Sequence, residues 1–132
     1  MPEVNWLAVT AAALASFVIG GIWYSPLLFA RSWQAAAGLS DEALKGGSPV
    51  RIFGGTFLLS FVAAATFAFL LGPRPTLGFA ATAGLSAGLC WVTASFGINY
   101  LFERRSLRLF LINGGYHTLQ FTVIGLVLGV WH

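Results

Sequence analysis

Residues 52–102 read IFGGTFLLSFVAAATFAFLLGPRPTLGFAATAGLSAGLCWVTASFGINYLF, and Arg74 is the only charged residue among them. Two apolar runs, 52–71 and 76–102, flank the tetrapeptide Gly72-Pro73-Arg74-Pro75. Proline lacks an amide proton and restricts the residue before it, so a helix does not pass unbroken through this turn. Each run reaches the ~20 residues that a helix needs to cross about 30 Å of hydrocarbon. The stretch therefore reads as a tight helical hairpin. Two further apolar runs, 4–30 and 109–131, lie on either side of it. The expected fold is all-α: a polytopic membrane protein whose four transmembrane helices form one domain over residues 1–132.

Composition leads to the same class. Hydrophobic residues make up 58% and charged residues 8% of the 132, with a formal charge of +3, whereas a soluble domain carries roughly one-quarter charged residues. The charges cluster between the apolar runs, and the first of them is Glu3. The connections after the first and third spans hold Arg31, Lys45, Arg51, Arg104, Arg105 and Arg108, against Arg74 alone on the opposite side. Basic connections stay cytoplasmic, so both termini are expected to face outward, with Trp6 and Trp131 at one interface. Anionic headgroups account for the net charge, which makes membrane lipids the expected partner and implies no nucleic acid. Ala13-Leu14-Ala15 fits a small-x-small cleavage pattern, but no Lys or Arg precedes it and the apolar run continues past it, so the segment reads as a retained span.

Pro26 is expected to kink the first helix one turn before its end. Residues 31–39 could continue as a short interfacial helix carrying Trp33, and 41–49 reads as an exposed loop. Gly84-x-x-x-Gly88 and Gly125-x-x-x-Gly129 bring small residues onto one helix face, where backbones can approach closely. Contacts within the chain or a subunit interface would satisfy them. A four-helix protomer is too thin to enclose a pathway, which favours a homo-oligomer, preferably a dimer, through one of these faces.

The fourth span carries the chemistry. Asn113, Tyr116, His117 and Gln120 stand at i, i+3, i+4 and i+7, one polar stripe that lipid cannot satisfy. On ideal helical spacing Ser95, Asn99 and Glu103 share a face of the third span with Gly88, and Glu103 at its cytoplasmic end also reads as an interfacial residue paired with Arg104, Arg105 or a lipid headgroup. These two faces can converge in the cytoplasmic half, with Trp23, Tyr24 and Tyr116 as aromatic walls. The candidate pathway residues are therefore Trp23, Tyr24, Ser95, Asn99, Asn113, Tyr116 and His117, with Glu103 at the mouth. Such a station suits a neutral or cationic small molecule better than a bare anion. His117 is the stripe member able to change charge near neutral pH, and Gln120 reads as packing glue. The competing reading is that the whole stripe only ties helices together.

No enzyme is expected. Cys90 is a lone thiol, His117 and His132 are far apart in depth, and no nucleophile or phosphate-cradling motif occurs, so neither a metal nor a cofactor is implied.

Two strings repeat. Gly21-Ile22-Trp23-Tyr24 is similar to Gly97-Ile98-Asn99-Tyr100, and Arg51-Ile52-Phe53 ahead of Gly54-Gly55 is similar to Arg108-Leu109-Phe110 ahead of Gly114-Gly115. A true repeat would relate two N-out hairpins by a pseudo-two-fold along the membrane normal. Chance similarity among apolar, Gly-rich segments is the alternative.

Asn5-Trp6, then Gly20-x-x-Trp23-Tyr24-Ser25-Pro26-x-x-Phe29 and Trp33, resembles the small membrane-protein family catalogued as domain of unknown function 1761. Phe102-Glu103-Arg104, Asn113, Tyr116 and Trp131 extend the resemblance through the chain. It implies a four-helix protein of the bacterial inner membrane and carries no assigned activity. The reading that follows is a small transporter or channel-like permease, with a structural, accessory or lipid-binding membrane subunit as the alternative.

Overall fold

A computed structural model describes residues 4–132, and it is helical, with no strand among them. Glu3 lies outside the described residues. Helix α1 spans Trp6–Trp23, α2 Ala30–Ala37, α3 Asp41–Lys45 and α4 Pro49–Leu71. Helix α5, Leu77–Ser86, runs through a π-helical segment, Ala87–Thr93, into α6, Ala94–Glu103, and α7 spans Leu107–Val130.

Capping side chains set most of the starts. Asn5, Ser40, Ser48, Thr76 and Ser106 each accept a hydrogen bond from the amide three residues on, satisfying a donor that the first helical turn leaves free. Ser48 with Pro49 behind it starts α4 three residues before the apolar run. At the other ends, Gly38 and Gly72 take positive φ, and so does Arg104, at 58°.

The first helix departs from its sequence reading. It ends at Trp23 and does not run kinked to residue 30, because Pro26 has no amide to continue the ladder. The chain folds into a tight turn in which the Phe29 amide donates to the Trp23 carbonyl at 3.1 Å, and α2 leaves from it. The 41–49 connection likewise contains a short helix, α3, with Asp41 and Glu42 in its first turn and Lys45 in its last, the favourable order for the helix dipole.

Three helices are each long and apolar enough to cross a membrane: α1, α4 and the continuous Leu77–Glu103 helix. Their outer faces present large hydrophobic side chains, including Val18, Ile22, Leu58, Leu59, Leu70, Trp91 and Ile98, which is how a lipid-facing surface is composed. The polar stripe lowers the apolarity of α7, and that helix takes the inner position. It packs along α1 on one side and along α5, the π segment and α6 on the other, while α4 leans on α1 and barely reaches it. Val4, Gly72, Pro75 and Trp131 line one hollow at one end of the bundle, so the long helices alternate in direction. Ala8, Val9, Ala12, Ala13, Ala64, Phe67, Ala87, Ile124 and Leu128 form the apolar core.

Both glycine motifs are used inside the chain. A Cβ at Gly84 would run into the Phe121 carbonyl, one at Gly88 would meet the His117 carbonyl at 2.7 Å, and one at Gly125 would strike the Ala80 carbonyl. These faces bring α5 and α7 into backbone contact and are not open to a second subunit. A two-fold relation between the hairpins would repeat the α1–α7 contact between α4 and α5–α6, and α4 makes no substantial contact there.

Gly84→Ala and Gly125→Ala should each destabilise the protein by about 1–3 kcal/mol, the usual cost of overpacking. Gly21→Ala, where nothing lies within 4 Å of the added carbon, should be neutral or gain up to about 1 kcal/mol from its helix position. Unfolding monitored by circular dichroism in detergent measures all three. In the same assay Arg104→Gly should stabilise by about 1 kcal/mol, because glycine takes the left-handed conformation without steric cost.

Candidate functional site

The polar stripe of α7 is met from both neighbours. Asn113, on the second turn of α7, is held between two phenols. The Tyr24 hydroxyl donates to its Oδ1 at 2.6 Å, and its Nδ2 donates to the Tyr100 hydroxyl at 2.7 Å. Tyr24 reaches this position because α1 stops one residue earlier, and its ring packs edge-on against Trp33 and Tyr116. Tyr100 arrives from the last turn of α6.

Trp23 closes the same end. Its indole Nε1 donates to the Ile112 carbonyl at 2.9 Å, its ring lies on Phe29, and its edge covers Gly115, where a Cβ would meet it at 3.0 Å. One turn further along α7, the Tyr116 hydroxyl donates to the Ser16 carbonyl at 3.1 Å, over Gly20 of α1. Gln120 is buried. Its Nε2 donates to Ser16 Oγ at 3.3 Å and its Oε1 lies 2.8 Å from His117 Nδ1. An amide oxygen only accepts, so this geometry puts the imidazole proton on Nδ1 and leaves Nε2 as the second ring nitrogen. The His117 ring stacks on Phe96 with centroids 4.9 Å apart.

The π segment supplies a third layer. Thr93 Oγ1 lies 2.7 Å from the carbonyl of Gly88, five residues back, 2.9 Å from that of Gly114 and 3.1 Å from Thr118 Oγ1. A buried hydroxyl thus joins the π turn to α7. Among the described residues no buried side-chain nitrogen or oxygen lacks a partner.

Trp23, Tyr24, Asn113, Tyr116 and His117 therefore come together, as the spacing predicts. Ser95 and Asn99 do not join them. Both are exposed and line an outward hollow with Trp91, Val92 and Phe96. Glu103 is no mouth to the cluster, since it pairs with Arg105 on the surface at 3.7 Å, both side chains about half exposed (52% and 44%). The physical reason is the π segment. It adds a residue to the turn, so positions beyond it are rotated by about 100° from ideal α spacing. Gly88 and Thr93 share the face toward α7, followed by Phe96 and Tyr100, and the Ser95–Asn99 face turns out. Tyr100, Thr93, Phe96 and Ser16 were not candidates on spacing alone. Tyr100 had a signal, because the repeated strings align it with Tyr24, and both tyrosines bond Asn113.

The cluster is a set of neutral donors and acceptors with aromatic walls and one imidazole. Among the described residues no three His, Cys, Asp or Glu side chains converge. A family model described as protein of unknown function DUF1761 matches residues 7–129. The chain belongs to the DUF1761 family. No curated protein and no solved structure matches it. For this DUF1761 chain the description attaches no activity, so the chemistry of the cluster has to speak for itself.

The Tyr24–Asn113–Tyr100 clamp can be measured. Tyr24→Phe and Tyr100→Phe should each cost about 0.5–1.5 kcal/mol, the net worth of one such hydrogen bond. Asn113→Leu should cost more than either and erase the effect of a second Tyr→Phe change. A double-mutant cycle on unfolding in detergent reads the coupling, and strictly additive values would dissolve the clamp.

Proposed function

We propose that this protein is a four-span integral membrane protein, with both termini outward and its basic connections cytoplasmic in a bacterial inner membrane. In this reading it acts as a homo-oligomeric permease for a small, neutral, hydrogen-bonding molecule. The Asn113, Tyr24, Tyr100, Tyr116 and His117 cluster is the polar station, held closed, and no catalysis is assigned to it. At about 1.5 Å per residue α7 has the length of a span, and its polar stripe is shielded from hydrocarbon by its neighbours.

One observation carries the reading: the π-helical segment Ala87–Thr93 lies directly across from the polar turns of α7. Such segments are rare and gather at functional sites. Irregular backbone at membrane depth is tolerated where protein or a water-lined path surrounds it. With Glu103 paired to Arg105, the cluster has no carboxylate, which favours a neutral solute over a cation. The second reading, a structural, accessory or lipid-binding subunit, is favoured by the pairing of every buried side-chain nitrogen and oxygen among the described residues.

Osmotic response of vesicles made of phosphatidylethanolamine and phosphatidylglycerol separates the two. With glycerol and urea as probes, vesicles carrying the protein should equilibrate faster than empty ones. His117→Ala and Asn113→Ala should remove that difference while the protein keeps its helix content and oligomeric state. Wild-type vesicles no faster than empty ones with either solute, together with loss of assembly in both variants, would overturn the permease in favour of the structural role.

A further inference from the structure

The π segment that turns Thr93 and Tyr100 toward α7 turns Ser95 and Asn99 the other way, onto the outer surface beside the exposed Trp91 and Ile98. Thr93 and Tyr100 find hydrogen bonds on α7, whereas among the described residues the Ser95 and Asn99 side chains make none. Asn99 stands one turn, about 6 Å, from Glu103 at the end of the span, and Trp91 lies about two turns further in. Two polar side chains thus face the lipid side of a spanning helix, where hydrocarbon offers them no partner.

They also share a concavity. Trp91, Ser95 and Asn99 form one ridge at spacings of four and Val92 and Phe96 the next, and the small Ser95 makes a dip between its large neighbours. The resulting hollow measures about 310 Å³, at the lower end of the roughly 300–1,000 Å³ of small-molecule sites, which are mostly apolar and aromatic with a few placed polar groups. Phe96 is a fixed wall, because its ring stacks on His117 and lies 5.6 Å from Tyr100. The same ring separates the hollow from the inner polar cluster, so the two are distinct sites.

We propose that this hollow binds a neutral, flat, lipid-soluble carbonyl compound, with its ring against Trp91 and Phe96 and its oxygen at Ser95 and Asn99. No charged side chain lines the hollow, so an ion would have nothing there to offset the loss of its hydration. The carboxamide of Asn99 and the hydroxyl of Ser95 bring three polar protons. A carbonyl oxygen answers them without carrying a further N–H or O–H into hydrocarbon, and aromatic walls favour a flat ring over an acyl chain.

Benzophenone is such a compound, and under ultraviolet light its carbonyl carbon bonds to a carbon within reach. In phosphatidylethanolamine–phosphatidylglycerol vesicles carrying the intact protein, labelling at residues 91–99, read by mass spectrometry, should saturate with dose. Labelling at the exposed Leu58 and Leu59 of α4 should rise in proportion to dose. Asn99→Leu should raise the half-saturating dose at least fivefold. Ser95→Leu fills the dip from an exposed position, so it should abolish the saturable labelling while helix content stays that of the wild type. Labelling at 91–99 that is linear in dose, or that keeps the wild-type midpoint in both variants, overturns the site. A wild-type oligomer that Ser95→Leu converts to monomer in native mass spectrometry also overturns it, and gives this face to a second copy.

Discussion

A polar side chain packed inside an apolar helical bundle needs a hydrogen-bond partner there, and α7 carries four such side chains on one face. Their hydrogen bonds must come from adjacent helices, and the geometry around α7 follows from that requirement. Helix α1 supplies Ser16 and then ends so that Tyr24 can reach Asn113. The π segment of the Leu77–Glu103 helix gives Thr93 to the next layer and turns Tyr100 onto the other end of the same amide. The least apolar of the long helices is consequently the inner one, and the more apolar helices α1, α4 and α5–α6 shield it.

Close approach makes that arrangement possible. Association of apolar helices in lipid relies on packing and on hydrogen bonds between helices, since their side chains are no more apolar than the lipid itself. Gly84 and Gly125 let backbone meet backbone between α5 and α7, and Gly114 makes room for the Thr93 methyl. Gly20 and Gly115 do the same on the α1 side with the rings of Tyr116 and Trp23. A glycine lies beneath each major contact of α7, and eight of the sixteen glycines, Gly20, Gly84, Gly88, Gly97, Gly114, Gly115, Gly125 and Gly129, are placed at such contacts. Gly54 and Gly55 of α4 share the pattern and have no such contact within the chain.

Much of the candidate site was legible because α1 and α7 are regular helices where it matters. Asn113, Tyr116 and His117 stand on one face of α7 at i, i+3 and i+4, and Trp23 and Tyr24 pack beside them. Ser95 and Asn99 were misplaced for one reason: counting across Ala87–Thr93 assumes 3.6 residues per turn, and that segment has more. Gln120, read as glue, is the link between His117 and Ser16. Glu103 has two readings in the sequence, a mouth to the site on the Ser95–Asn99 face and an interfacial partner of Arg104 or Arg105, and its side chain pairs with Arg105 at the surface.

By itself the sequence determined the helical hairpins, because runs of apolar residues bounded by Gly72, Pro73 and Pro75 or by capping Ser48, Thr76 and Ser106 leave no other economical backbone. It also determined that α7 needed polar partners. Only the tertiary structure decided which face of the Leu77–Glu103 helix supplies them, since a π insertion resets helical phase without changing the composition of the segment. It likewise decided that Gly84, Gly88, Gly125 and Gly129 serve one chain. A small-xxx-small motif specifies how near another backbone can come, and the identity of that backbone depends on where the rest of the chain has folded.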